Sequence, residues 1–400
     1  MNKYFGLLIF FIVSSCSSPL KPNQFQLDVS LSAKNTDYIV LSYLDHTLKT
    51  VSDTIYTKIN KDLVFQGMVN GFTHAWIESN LVKDSSVDDP NRLSIFLESG
   101  LQEISLTENE FKNATLKGSK THLEHEHFIE EKKKITGERK RWIDERNAYF
   151  SEYISNPSDS VSKFRMDSIV NLLRENSNEV NTIKLSLIEK NPESYLSVYN
   201  LHSFLKVNNI THERANSLYE NLSTSVKESI YGKLVSQQLK STLLAQEGKR
   251  AVSFKGMTQN GEKIALEDFE GKYVLLDFWA GWCKPCKALH PELKELYEKY
   301  HSQGLEIIGV SFDKDQQTWK TSIEQEQLDQ WLHLYDGYKN IGKNNSISQK
   351  FNVTPIPAYI LIDDRGIIAG RYLGADKENK DQTKNIEDLK EKLAMIFDAM

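Results

Sequence analysis

Four hundred residues exceed what one ordinary core organises and point to two or three domains. With 39% apolar and 26% charged residues, nine prolines and no low-complexity tract, the chain has a globular composition. Its formal charge of -6 is spread over both signs and supplies no basic patch, which sets nucleic acid aside as a partner.

The chain opens with Met1-Asn2-Lys3, an apolar run from Tyr4 to Val13, then Ser14-Ser15-Cys16. The run is too short to span a bilayer as a stable helix and has the dimensions of a secretory leader. Small residues before a cysteine resemble the lipobox of bacterial lipoproteins, which implies a signal peptide over 1–15, a lipid anchor on Cys16 and a tether over 16–24. A plain leader with an incidental cysteine is the alternative.

From Phe25 to about Leu106 the apolar pattern has period two, within a β-rich domain expected over 25–118. Strands are expected at Phe25–Leu31, Tyr38–Leu44, Val51–Ile59, Leu63–Val69, His74–Ser79, Leu93–Glu98 and Gln102–Leu106, forming a small antiparallel β domain. His46 and His74 read as ordinary strand or surface histidines, because no partner lies at metal-site spacing.

Over 119–248 the period becomes helical, as in a spacer or docking module. One long helix is expected from Thr121 to about Phe150, followed by Val161–Asn176, Val180–Lys190, Ser194–Val207 and His212–Gln246. His122, His125 and His127 place three imidazoles in six residues, but they do not share a helical face. A solvated charged helix is the better reading, and no metal site is expected.

Residues 249–400 alternate strands and helices. Val252-Ser253-Phe254 and Lys263–Leu266 flank the hairpin dipeptide Asn260-Gly261. The strand Tyr273–Trp279 leads to Cys283-Lys284-Pro285-Cys286, with a helix then running to about Tyr300. Strands come next at Leu305–Phe312, Ala358–Ile362 and Ile367–Tyr372, with helices at Gln316–Gln325 and Asn385–Ala399.

Two cysteines at a helix start favour dithiol chemistry, since the unpaired N–H groups and positive end of the helix lower a thiol pKa there. Zinc would need two more ligands, and no other cysteine remains near the pair. Cys283 is the position expected to stay exposed and attack a disulfide; Cys286, one turn in, is expected to be covered and to resolve the mixed disulfide. Pro285 fits the first turn and Lys284 adds positive potential.

The segment Phe278-Trp279-Ala280-Gly281-Trp282-Cys283-Lys284-Pro285-Cys286-Lys287 resembles the active site of the thioredoxin superfamily. Pro291 is similar to the proline that kinks the active-site helix, Asp277 to the buried acid, and Pro357 to the cis-proline before the next strand. The resemblance implies a thioredoxin-like α/β fold over residues 250 to 400. Desolvation in an apolar strand is expected to raise the pKa of Asp277, so that it exchanges a proton with Cys286; a structural strand-end carboxylate is the alternative. A cis Ile356-Pro357 bond would present the Ile356 backbone to an extended substrate, making Trp282 and Ile356 candidate substrate contacts, although Pro355 and Pro357 can also be read as rigid loop residues.

The insertion with Asp313, Trp319 and Trp331 resembles the TlpA/ResA-like branch of envelope oxidoreductases. That branch often carries an acid three residues after the second cysteine, where this chain has Leu289. The expected activity is thiol-disulfide exchange, in the reducing direction, on protein disulfides, by a membrane-anchored lipoprotein facing the periplasm. No nucleotide, flavin or metal motif is present, so no cofactor is expected and electrons would come from a membrane thiol donor. A thiol peroxidase is disfavoured by Ala280 at a position that usually carries a hydroxyl, and a client-binding scaffold lipoprotein is the third reading.

Overall fold

The structure is a computed structural model that describes residues 19–58, 62–83, 88–156, 158–207, 210–337, 346–353, 355–373 and 386–398. The leader, Cys16, Ile59, Thr354, Asn385 and Ala399 lie outside these.

The amino-terminal strands are β1 (Gln24–Ser32), β2 (Tyr38–Leu44), β3 (Thr50–Tyr56), β4 (Leu63–Met68), β5 (Phe72–Ser79), β6 (Arg92–Glu98), β7 (Gly100–Thr107) and β8 (Thr115–Lys117). They form two four-stranded sheets, ordered β4-β1-β7-β8 and β3-β2-β5-β6. Alternation fixes the faces: Ile39, Leu41 and Tyr43 of β2 point inward, and Tyr43 meets Phe25 of β1 edge-on at 5.1 Å. One pairing departs from the expected antiparallel arrangement, since β1 and β7 run parallel, Phe25 opposite Gly100. The other sheet's strands intervene between them in sequence, so the chain returns to β1 by a crossover and not by a hairpin.

Seven helices come next: α1 (Lys120–Thr136), α2 (Arg139–Ser155), α3 (Ser160–Lys190), α4 (Tyr195–Lys206), α5 (His212–Asn221), α6 (Thr224–Glu228) and α7 (Ile230–Leu244). The long helix expected from Thr121 breaks at Gly137-Glu138, where glycine weakens helix propensity. The two helices expected between 161 and 190 are one. Asn176, where the first was expected to end, is buried inside the helix and donates from Nδ2 to the Ile135 carbonyl at the end of α1. His122 is buried and not solvated, and burial lowers its imidazole to about 4. Among the described residues no group of three metal-capable side chains gathers.

The chain divides into two compact units, one containing the β sheets with residues up to Ile183, the other containing most of α4 to α7 with everything beyond. The helical stretch over 119–248 is therefore shared between the two.

The carboxy-terminal elements are β9 (Lys255–Met257), β10 (Lys263–Ala265), β11 (Tyr273–Trp279), α8 (Lys284–Tyr300), β12 (Leu305–Ser311), α9 (Gln316–Glu326), β13 (Leu332–Tyr335), α10 (Ile347–Lys350), β14 (Ala358–Ile362), β15 (Ile368–Leu373) and α11 (Ile386–Phe397). The hairpin forms around Asn260-Gly261, with Gly261 at φ +85, but its first strand begins at Lys255 and not at Val252. The central sheet has the order β13-β12-β11-β14-β15, with β11, β12 and β13 parallel and β14 and β15 antiparallel. Its inner strands β11 and β14 are buried on both faces, as their continuous apolar runs require. β11 ends at the sheet edge where α8 begins, and that edge carries both cysteines.

Candidate active site

Cys283 is the N-cap of α8 and is joined to Cys286 by a disulfide. Its Sγ accepts the Cys286 backbone N–H at 3.2 Å, one of the donors a helix start leaves unpaired. Pro285 occupies the first turn, where it forfeits no helical hydrogen bond, and Pro291 lies farther along α8. Cys283 is 4% exposed and Cys286 1%, which corrects the expectation of an exposed first cysteine. The disulfide turns each sulfur toward the other, and the Cys283 side chain folds back over the first turn. The exposed neighbour is Trp282, at 56%.

The turn before Cys283 is held from the next strand. The Asp313 carboxylate accepts the Gly281 N–H at 3.0 and 3.2 Å and the Ser311 hydroxyl at 2.9 Å. Gly281 is required by space: a Cβ there would lie 1.9 Å from Ser322 Oγ of α9. In the sequence Asp313 is marked only by a family resemblance, and Ser322 by nothing. The available hint is a polar pair, Ser311 and Asp313, at the end of an apolar strand.

Asp277 lies mid-strand in β11, opposite Gly309 of β12 and Tyr359 of β14. It is 1% exposed, and its Oδ2 has no hydrogen-bond partner among the described residues. Burial pushes its carboxyl up to about 7, the direction expected from an apolar strand. Burial, then the charges of Asp277 and Glu292, hold the Tyr359 phenol well above its usual range. Leu289, three residues after Cys286, is buried in the core.

Ile356-Pro357 is cis. Because Ala358 pairs with Phe278, Pro357 stands at the level of Trp279, at the edge that holds the cysteines. Ile356 is partly buried against the core. The site thus comprises two sulfurs, a buried acid with a pKa near neutrality on the strand behind them, and a cis-proline loop, a set suited to moving electrons between sulfur pairs.

Part of the chain is similar to known proteins. The Redoxin family matches residues 246–390. The thiol-disulfide oxidoreductase ResA of Bacillus cereus is 36% identical over 137 residues, covering 34% of this chain and 74% of the relative. The thioredoxin-like protein YneN of Bacillus subtilis is 32% identical over 130 residues, covering 32% of this chain and 72% of that protein. Among solved structures, the thioredoxin domain of a Bacteroides vulgatus thiol-disulfide oxidoreductase aligns with 28% identity and a TM-score of 0.32, covering 38% of this chain and 98% of that one. The chain therefore belongs to the ResA-like thiol-disulfide oxidoreductases of the thioredoxin superfamily.

Proposed function

We propose that the module over residues 249–400 reduces protein disulfides in the cell envelope, with Cys283 as attacking and Cys286 as resolving thiol. The observation that carries this is the Cys283–Cys286 pair at the start of α8, with an acid of pKa about 7 buried on the strand behind it. The Cys283 thiolate attacks one sulfur of the client disulfide, whose S–S bond breaks and releases the first client thiolate. Cys286 then gives up its proton to Asp277 and attacks Cys283 Sγ, displacing the second client thiolate. Two electrons pass to the client, whose two thiolates take up protons, and the enzyme is left as the disulfide. A membrane dithiol donor must then restore the pair.

Two groups bear on direction. The helix start and one N–H favour a thiolate, while an ionised Asp277 disfavours a second negative charge nearby. A thiolate with little stabilisation makes a reductant. The leader and Cys16 support anchoring at the envelope by lipid, and no helix among the described residues is long and apolar enough to cross a membrane. Trp282 and the Ile356 backbone are the proposed client contacts.

Insulin reduction tests the reading: activity of the mature chain should vanish in Cys283→Ser, and undiminished turnover in that variant sinks it. Cys286→Ala should accumulate mixed disulfides through Cys283, which a scaffold would not do.

A further inference from the structure

Arg371 lies on β15, away from the cysteines, yet one guanidinium ties together two helix ends. Nη1 donates to the Ala245 carbonyl, just past α7, at 2.8 Å and to the Phe351 carbonyl at 2.7 Å; Nη2 donates to the Asn352 carbonyl at 3.3 Å. Phe351 and Asn352 end α10, and Asn352 is left-handed at φ 48. A single cation therefore serves the carbonyl ends of two helices, where positive charge is favoured. Burial lowers even this guanidinium, to about 10, and its three hydrogen bonds are partly buried.

Beyond Asn352 the chain enters the proline loop. Pro357 lies five residues on, and the loop's far end is fixed where Ala358 joins the sheet. On the near side, Phe351 is fully buried against Phe254 and Phe278. The other attachment is α7. The linker after it runs along β15, with Gly248 N–H bonded to the Ile368 carbonyl and Ile368 N–H to the Lys249 carbonyl. Gln237, Gln238 and Ser241 of α7 line a cavity of about 80 Å³ whose other wall includes Gln349, Asn352 and Val353. A helical spacer would leave the redox module alone, but α7 is bolted to the segment that feeds the proline loop.

We propose that Arg371 is a positioning residue that sets the Ile356 backbone for a protein client and couples α7 to it. This deepens the proposed reductase function and rests on Ile356 as a client contact. A small disulfide reaches the sulfurs without pairing along the loop. An extended protein segment must pair with it, so displacement of the loop raises KM for a protein far more than for a small disulfide.

The test compares the full mature chain with Arg371→Met and Arg371→Lys, using insulin and glutathione disulfide as probes. Arg371→Met should raise KM for insulin about tenfold, with kcat and the glutathione disulfide reaction within about twofold of wild type. Arg371→Lys retains a cation that can reach one carbonyl and should fall between, which keeps the test alive if the methionine variant does not fold. Equal losses on both probes, or an unchanged insulin KM, overturn the proposal. Amide exchange of the oxidised protein supplies a readout free of catalysis. The Val353 N–H, bonded to the Ser348 carbonyl at 2.8 Å, should exchange about tenfold faster in the methionine variant. If wild type reduces neither probe, the catalytic reading fails by itself, and unchanged exchange at Val353 then overturns the positioning role.

Discussion

At the scale of single residues, Asp277 offers the sharpest test, because its burial acts on both stability and rate. Its carboxyl titrates near 7 in the fold against 3.8 when free, so the folded state holds this proton more tightly than the unfolded state. Its contribution is therefore fully present below about pH 4 and is lost as pH rises toward and through 7, by up to roughly 4 kcal/mol for a shift of this size. Asp277→Asn should remove that dependence. Denaturant midpoints should show the variant gaining on wild type between pH 4.5 and 8, and parallel curves would mean the group is not strained by burial. The same variant should slow insulin reduction at least tenfold and flatten the inflection near pH 7, because the proton taken from Cys286 has lost its acceptor. The acid was legible from the sequence because a lone carboxylate inside Leu275-Leu276-Asp277-Phe278 has to be buried by its neighbours. The burial of Cys283 was not legible, because it depends on how the side chain folds over the helix start.

At the scale of elements, the turn between β11 and α8 is held by contacts distant in sequence. Gly281 lies outside the left-handed region and is needed because Ser322 of α9 stands where a Cβ would go. Gly281→Ala should cost about 1–3 kcal/mol and lower activity by moving Cys283. Adding Ser322→Gly should return part of both losses, measured by urea unfolding and insulin turnover in a double-mutant cycle. Simple additivity would show that the turn is not packed against α9. This packing also explains which elements the sequence revealed. β11, β12 and α8 follow from apolar runs and one cap. β13 and α10 escaped because four residues give no period to read, and β13 exists by pairing with β12, Gly309 beside His333. The reverse error occurred after Asn176, where a helix was expected to end and instead continues, with the Asn176 amide turned inward to the end of α1.

At the scale of the molecule, the redox module was legible and its attachment to α7 was not. The cysteine pair and two prolines specify a fold through local chemistry. The attachment of α7 includes Arg371, which donates to the Ala245 carbonyl and which nothing in its own segment marks. Among the described residues, the core around β11 draws on residues of the second unit. That separation allows the direction of electron flow to be read from stability. Folding and reduction form a closed cycle, so the stability difference between oxidised and reduced forms equals the gap between the potential of the folded pair and that of the same cysteines in the unfolded chain. About 30 mV of that gap is 1.4 kcal/mol. A reductant has the lower folded potential, and its disulfide form must be the more stable. Calorimetry of the whole chain should therefore show the transition of the second unit falling on reduction, by about 2–4 °C for each kcal/mol in a unit of this size, with the first unit's transition unmoved. If the reduced form melts higher, the buried Asp277 does not outweigh the helix start, and the enzyme delivers disulfides instead of removing them.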